Sequence, residues 1–446
     1  MDVTIKILQL ILALGILILV HEFGHFFFAK IFHIRVDKFF LFFDAGGVKL
    51  FSTKSKLFLK LFPKAENWET EYGIGWLPFG GYCKISGMID ESMDTEQLKS
   101  EPQPWEFRTK AAWKRLLVMV GGVLFNFILA IILFISILAI WGEVYVSNEG
   151  KQIYVSELAY EMGFRNGDHI ISYDDYKPQD FQKLQADLAR RMVNKATVLR
   201  GTDTVDLYID HSKISSILST KEPMFGLAMP YVANGFMENS PNVESGIENG
   251  DRIIEVCGEP TEFIQDARKI IEKNAEKDID VRVLRGNDTL DFVLHVNQEG
   301  QVGILTLPIE ADILDYDLLS AIPAGFKKTF TSIHEYLQDL KLVADPSTKA
   351  YKSVGSFISI GNIFPNQWDW YGFMNILALL SIMLGVMNLL PIPALDGGHI
   401  VFTLYERITG RKPGDKFLYV AQIIGMIILI GLMFLACGND IARLIG

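Results

Sequence analysis

Residues 7–29 read Ile7-Leu-Gln-Leu-Ile11-Leu-Ala-Leu-Gly15-Ile-Leu-Ile-Leu-Val20-His21-Glu22-Phe23-Gly24-His25-Phe26-Phe27-Phe28-Ala29. The stretch is long and apolar enough to cross a bilayer, which takes about 20 helical residues. It also holds two histidines and a glutamate, which are costly in lipid unless they face the protein interior and act there. It has neither a basic n-region nor a small-residue cleavage site, and the apolar run continues through Phe28. It therefore reads as a retained helix, not a removable signal peptide. On a helix, His21 and His25 stand at i and i+4 on one face, so both imidazoles can address one ion. Two neutral imidazoles and one further ligand hold zinc tetrahedrally and leave a position for water. Glu22 is placed to take a proton from that water and pass it to a leaving amine.

Three more stretches are long and apolar enough to span: Leu116–Trp141, Tyr371–Leu390 and Phe417–Cys437. Arg108, Lys110, Lys114 and Arg115 precede the second span. Arg407, Arg411, Lys412 and Lys416 lie between the third and fourth. Basic residues close to spans stay on the cytoplasmic side. The N-terminus, the long polar insert between the second and third spans, and the C-terminus then face the periplasmic or extracytoplasmic side. In the whole chain of 446 residues, 50% are hydrophobic and the net charge is −11. That composition excludes a disordered chain, and the acidic balance excludes a general nucleic-acid binder. Cys83, Cys257 and Cys437 lie far apart and form neither a disulfide framework nor a thiolate zinc site.

The third ligand must come from another part of the membrane domain. Asp396 is the leading candidate, in Asn388-Leu-Leu-Pro391-Ile-Pro393-Ala-Leu-Asp396-Gly-Gly. Pro391 and Pro393 remove backbone donors and break the third span's helix. Broken backbone at membrane depth is tolerated where protein or a watery cavity covers it. A carboxylate there completes a His-His-Asp site, and His399 is the rival ligand.

The insert contains an internal repeat. Gly163-Phe-Arg-Asn-Gly167-Asp168-His-Ile-Ile171 recurs as Gly246-Ile-Glu-Asn-Gly250-Asp251-Arg-Ile-Ile254. Leu199-Arg200-Gly201-Thr-Asp203 recurs as Leu284-Arg285-Gly286-Asn-Asp288. Two elements repeated in one order indicate a duplicated domain. Each copy reads as a Gly-Asp turn, a strand, a helix (Asp180–Met192; Glu262–Asn274) and a β-hairpin. The Gly-Asp-x-Ile-Ile signature resembles PDZ domains of bacterial proteases. That resemblance implies binding of extended peptides or chain ends by strand addition, with a plain size filter as the alternative.

With the His-Glu-x-x-His in the first span, Asn388–Gly397 in the third and the paired insert between four spans, the sequence resembles the site-2 proteases, intramembrane zinc metalloproteases. The resemblance covers nearly the whole chain. Thr70-Glu-Tyr-Gly-Ile-Gly-Trp-Leu-Pro78-Phe79-Gly80-Gly81-Tyr-Cys-Lys84 matches a membrane-dipping β segment of the family. Its alternating apolar residues around Pro78, Gly80 and Gly81 suit a bent hairpin with an exposed edge. The sequence departs from the family pattern at Gly121-Gly122-Val-Leu-Phe-Asn126, which lacks a proline, and at Gly355-Ser356.

The resemblance implies a polytopic α-helical membrane protein with four transmembrane helices and an inserted pair of α/β PDZ-like domains. The implied divisions are a first transmembrane helix (1–30), a cytoplasmic-side loop with a membrane-associated β-hairpin (31–113) and a second transmembrane helix (114–142). PDZ-like domains (143–222 and 223–310) follow, then a linker with an amphipathic helix at Leu319–Val343 (311–368). A third transmembrane helix with the Leu-Asp-Gly motif (369–398), a cytoplasmic loop (399–416) and a fourth helix (417–446) complete the chain.

The implied activity is a Zn2+-dependent endopeptidase of the bacterial inner membrane. Its substrates are transmembrane helices of single-span proteins: an anti-sigma factor in regulated proteolysis, or signal-peptide remnants. Asn388, Pro391, Pro393, Gly80 and Gly81 are implied to engage the unwound substrate, and the PDZ pair to gate its access. A non-catalytic scaffold displaying two PDZ domains has no reason to keep His21, Glu22, His25 and Asp396 together. A transporter reading lacks the usual inverted repeat.

Overall fold

The computed structural model describes residues 2–78, 80–88, 101–220, 222–309 and 311–445. Phe79 of the glycine-rich segment and residues 89–100 of the same loop lie outside the described residues. The chain divides into two compact units, one of residues 1–143, 315–343 and 351–446, the other of 144–314 and 344–350.

The first unit begins with α1 (Asp2–Ile31), followed by β1 (Val36–Leu41), β2 (Lys49–Ser52), α2 (Lys56–Leu61), β3 (Glu71–Gly75), β4 (Tyr82–Ile85) and α3 (Ala112–Trp141). The insert follows, with α4 (Glu157–Glu161), α5 (Leu184–Arg190), α6 (Ile214–Ser219) and α7 (Ile264–Glu272). The chain then returns to the first unit through α8 (Leu318–Ala344), α9 (Phe357–Ile363), α10 (Trp370–Leu389), α11 (Asp396–Thr409) and α12 (Asp415–Ile445).

Four helical stretches are long and apolar enough to cross a membrane: Val3–Ile31, Ala112–Trp141, Trp370–Leu389 and Lys416–Ile445. In lipid only an internally bonded helix satisfies every backbone N–H and C=O of such a segment. α3 is central and packs against α1, α10 and α11. Small residues set this spacing, with Ala13, Ala130 and Ala378 buried beside Leu17, Phe134 and Leu377. A Cβ on Gly24 of α1 would meet Gly121 O of α3 at 2.2 Å, so the two backbones touch there. Leu19, Phe23, Ile132 and Phe434 point outward, as lipid-facing residues must.

The glycine-rich segment does not form a hairpin. The sheet order is β2-β3-β1-β4, with β1 parallel to β3 and antiparallel to β4. β1 separates the two strands, and its Phe40 ring lies across Gly73 of β3, where a Cβ would come within 2.3 Å of it. β4 is left as an edge strand. A second difference follows Pro393: residues 396–409, assigned to the end of a span and a loop, form the helix α11. Ala394 at φ 88° turns the chain, Asp396 occupies the first turn and Gly410 in the left-handed region ends the helix.

The insert is built twice on one plan. His169–Tyr173, Lys195–Arg200 and Asp203–Tyr208 form an antiparallel sheet matched by Arg252–Val256, Asp278–Arg285 and Asp288–His295. α5 and α7 occupy equivalent places in the chain order. Phe225–Ala228, beyond the boundary drawn at 222, pairs with Gln152–Val155 of the first copy. The repeated motifs meet in space. Arg200 donates to both carboxylate oxygens of Asp168, at 2.8 Å each, and to Gly163 O. Arg285 does the same to Asp251, at 2.7 Å each, and to Gly246 O. Each glycine sits at positive φ, 98° and 92°, where a side chain is strained.

Candidate metal centre

His21 and His25 are buried on one face of α1, and Asp396 opens α11. Gly397 and Gly398 let that helix start tight against the preceding turn, since a Cβ at either would strike Leu390 O or Ile392 O. The three ligand atoms converge. His21 Nε2 and His25 Nε2 lie 3.2 and 3.3 Å from Asp396 Oδ2, and 3.3 Å from each other.

The tautomers follow from the partners. His25 Nδ1 is 2.8 Å from the Val118 carbonyl, which can only accept, so Nδ1 carries the proton and Nε2 keeps its lone pair. His21 Nδ1 is 3.1 Å from the Asn126 amide nitrogen, while the buried Asn126 Oδ1 meets no donor. Rotating that amide by half a turn lets Oδ1 accept from His21 Nδ1–H, which removes the orphaned oxygen and frees His21 Nε2. Asp396 Oδ2 is likewise buried without a hydrogen-bond donor.

Three acceptor lone pairs thus face one point with no proton between them. Atoms about 3.3 Å apart are three corners of a tetrahedron with arms of about 2.0–2.1 Å, the length of zinc–imidazole and zinc–carboxylate bonds. The donor set and its spacing therefore fit a divalent metal, and the three residues form a cluster that could hold one.

Glu22 lies beside the cluster and accepts a hydrogen bond from the Cys83 backbone of β4. A cavity of about 840 Å³ opens in front of these groups. His21, Glu22, His25, Asn388 and Asp396 line it, as do Gly80, Gly81 and the strand β4 that follows them. The Asn388 amide nitrogen stands 3.3 Å from His21 Nε2. His399 lines the cavity outside the cluster of three. Pro391 and Pro393 are in the turn that carries Asp396 and are not among the lining residues.

Two contributions were not apparent from the sequence. Asn126 sits behind His21, its own carbonyl accepting from Ser381 Oγ at 2.8 Å. Gly122 makes room for the two imidazoles, because a Cβ there would come within 2.5 Å of His25 Nε2. The signal was the run Gly121-Gly122…Asn126, which puts small residues and one amide on a face of an apolar helix.

The model of peptidase family M50 matches residues 9–432. Regulator of sigma-E protease RseP from Salmonella typhimurium is 28% identical over 461 residues, covering 97% of this chain and 98% of the relative. The protein of the same name from Escherichia coli is also 28% identical, with the same coverage. A relative from Xylella fastidiosa, provisionally named a zinc metalloprotease, is 26% identical and covers 99% of both chains.

Proposed function

This chain belongs to peptidase family M50, and from that premise we propose that it is an intramembrane zinc endopeptidase that cuts transmembrane helices of single-span proteins. The observation that carries the reading is the convergence of His21, His25 and Asp396 beside Glu22 at the wall of a cavity within the helical unit. These three residues would hold zinc. When bound, the metal acidifies a water and polarises the scissile carbonyl. Glu22 takes the proton from the attacking water and returns it to the leaving nitrogen. His25 Nδ1–H on Val118 O and His21 Nδ1–H on Asn126 keep both rings aimed at one point.

A helical substrate hides its peptide bonds in i to i−4 hydrogen bonds and must unwind before attack. The free edge of β4, with Gly80 and Gly81 just before it, lines the cavity and suits pairing with an extended backbone. Asn388 is within reach of the same backbone, and Pro391 and Pro393 hold the turn that presents Asp396.

The two basic clusters are neighbours. Arg115 pairs with Glu406 at 2.6 Å, and Lys412 donates to Arg108 O at 3.1 Å. This supports one cytoplasmic side for both, in a bacterial inner membrane, with the insert on the opposite side. We assign the substrates to an anti-sigma factor, in keeping with relatives named for sigma-E regulation, or to signal-peptide remnants. The PDZ-like copies would gate access or bind chain ends. A cavity of about 340 Å³ beside the strand Phe225–Ala228, lined by Phe181, Gln185, Phe225 and Leu227, supports peptide binding in the first copy.

The test is the metal content of the detergent-solubilised protein beside Asp396→Ala. Close to one zinc per chain, much reduced in the variant, is expected. A metal-free protein after gentle purification would overturn the assignment.

A further inference from the structure

The segment Val48–Lys64 contains Lys49, Lys54, Lys56, Lys60 and Lys64 and no acidic residue. Two of these lysines are used by the fold. Lys49 pairs with Glu71 at 2.6 Å, and Lys54 donates to the carbonyls of Ala65, Glu66 and Trp68. Lys56, Lys60 and Lys64 are exposed and have no acidic partner among the described residues.

The orientation of α2 is settled by its aromatic residues. Ser55 caps its start, accepting from Phe58 N. Phe58 turns inward, with ring centroids 5.5 Å from Phe51, 4.9 Å from Phe62 and 6.3 Å from Trp68. Lys56 and Lys60 stand opposite Phe58, and Leu57 and Leu61, 75% and 68% exposed, form the row beside them. Leu50 on the neighbouring β2 is 70% exposed. Alternating leucine and ammonium rows on one face suit a bilayer interface, where leucine enters the acyl boundary and lysine reaches back to the headgroups.

A ring ladder connects this face to a span. Phe26 of α1 contacts Tyr72 at 6.0 Å, Tyr72 contacts Trp68 at 6.1 Å, and Trp68 contacts Phe58. α2 is therefore fixed close to the end of the first membrane-crossing helix. We propose that β2, α2 and the turn that follows them form a foot that docks on anionic phospholipid headgroups through Lys56, Lys60 and Lys64, with Leu57 and Leu61 inserted between them. A second copy of the chain is a poor occupant, since two such faces would bring like charges together. Anionic lipid supplies the complementary charge, and each lysine near such a surface strengthens binding about fivefold.

The test uses the full chain with Cys83→Ala, Cys257→Ala and Cys437→Ala, a nitroxide on Leu61→Cys, and nanodiscs of phosphatidylcholine alone or mixed with phosphatidylglycerol. The readout is collision of the nitroxide with a water-soluble nickel complex. Phosphatidylglycerol is expected to cut that collision rate about tenfold or more, and salt to restore it. Lys56→Gln, Lys60→Gln and Lys64→Gln together should abolish the protection, and the corresponding three arginine substitutions should keep it. Equal exposure in both lipids, equal protection in both, or protection that survives the glutamine substitutions would overturn the proposal. Protection that appears only after adding an acidic soluble protein would assign the face to that class of partner and also overturn it.

Discussion

At the scale of single residues, Asn126 shows how a group that touches neither metal nor substrate can decide the centre. Its amide is the only partner the described residues record for His21 Nδ1, and it reaches across 105 positions of sequence. Asn126→Leu keeps the branched shape and suits an apolar helix but removes the acceptor. Zinc affinity, measured by competition with a chromophoric chelator, should fall by about 10–100-fold. Asn126→Asp, which keeps an acceptor, should lose less. If both variants bind zinc as the parent does, the amide does not orient the ring. Glu22→Gln should give the opposite pattern, with zinc retained and cleavage slowed by about 10²–10⁴-fold. The histidines were legible in the sequence because an i, i+4 pair needs nothing beyond its own helix. Asp396 was legible because two prolines and a carboxylate at the end of an apolar run suit a protein-lined cavity and not lipid. Asn126 was not, because its partner lies on another helix.

At the scale of elements, the helix contact beneath the ligands rests on glycines. Gly24→Ala places a methyl group against backbone, Gly121 O, which cannot move aside as a side chain would. An overpacking cost of about 1–3 kcal/mol is expected, seen as a lower unfolding temperature in detergent together with easier zinc loss. In the insert, the Arg285 guanidinium holds the Asp251 carboxyl below the usual carboxylate range, against the opposing effect of burial. A depressed carboxylate stabilises the fold fully above its unfolded value, about 3.9, and the contribution is lost as pH falls through the folded value. Asp251→Asn should therefore lower the urea midpoint of the insert at neutral pH, and its difference from the parent should shrink in acid. A difference that stays constant with pH would exclude the ion pair as the cause. Strand identity was readable here from alternation and repeat, but strand order was not. The glycine-rich segment looked like a hairpin because its strands are adjacent in sequence, and only the pairing of β1 with both β3 and β4 shows that β1 comes between them. α11 was hidden for a related reason. The prolines that end the third span also obscured the restart at Asp396, although Gly410 marked its end.

At the scale of the whole molecule, chemistry and repeat are kept in separate units. Every residue lining the large cavity belongs to the unit of spans, while the second copy of the repeat has a core of its own, with Ile253, Val283 and Leu294 buried. The cluster of His21, His25 and Asp396, and Asn126 behind it, draws nothing from the insert. Removing the insert should therefore leave the centre able to bind metal. If the PDZ-like pair governs access, removal should change which substrates are cut without changing how they are cut. The informative variant replaces residues 146–309 with a flexible glycine-serine linker. Its zinc content should match the parent's, and so should its rate on a single-span substrate already shortened on the insert's side of the membrane. Its rate on the same substrate with a bulky folded domain on that side should rise towards the rate on the shortened one. The comparison must be made within one protein, since a general loss of folding lowers both rates and the zinc together, whereas loss of a gate closes the gap between substrates. A gap that stays as wide as in the parent, with zinc and basal rate intact, would place selection in the spans and leave the insert to peptide binding alone.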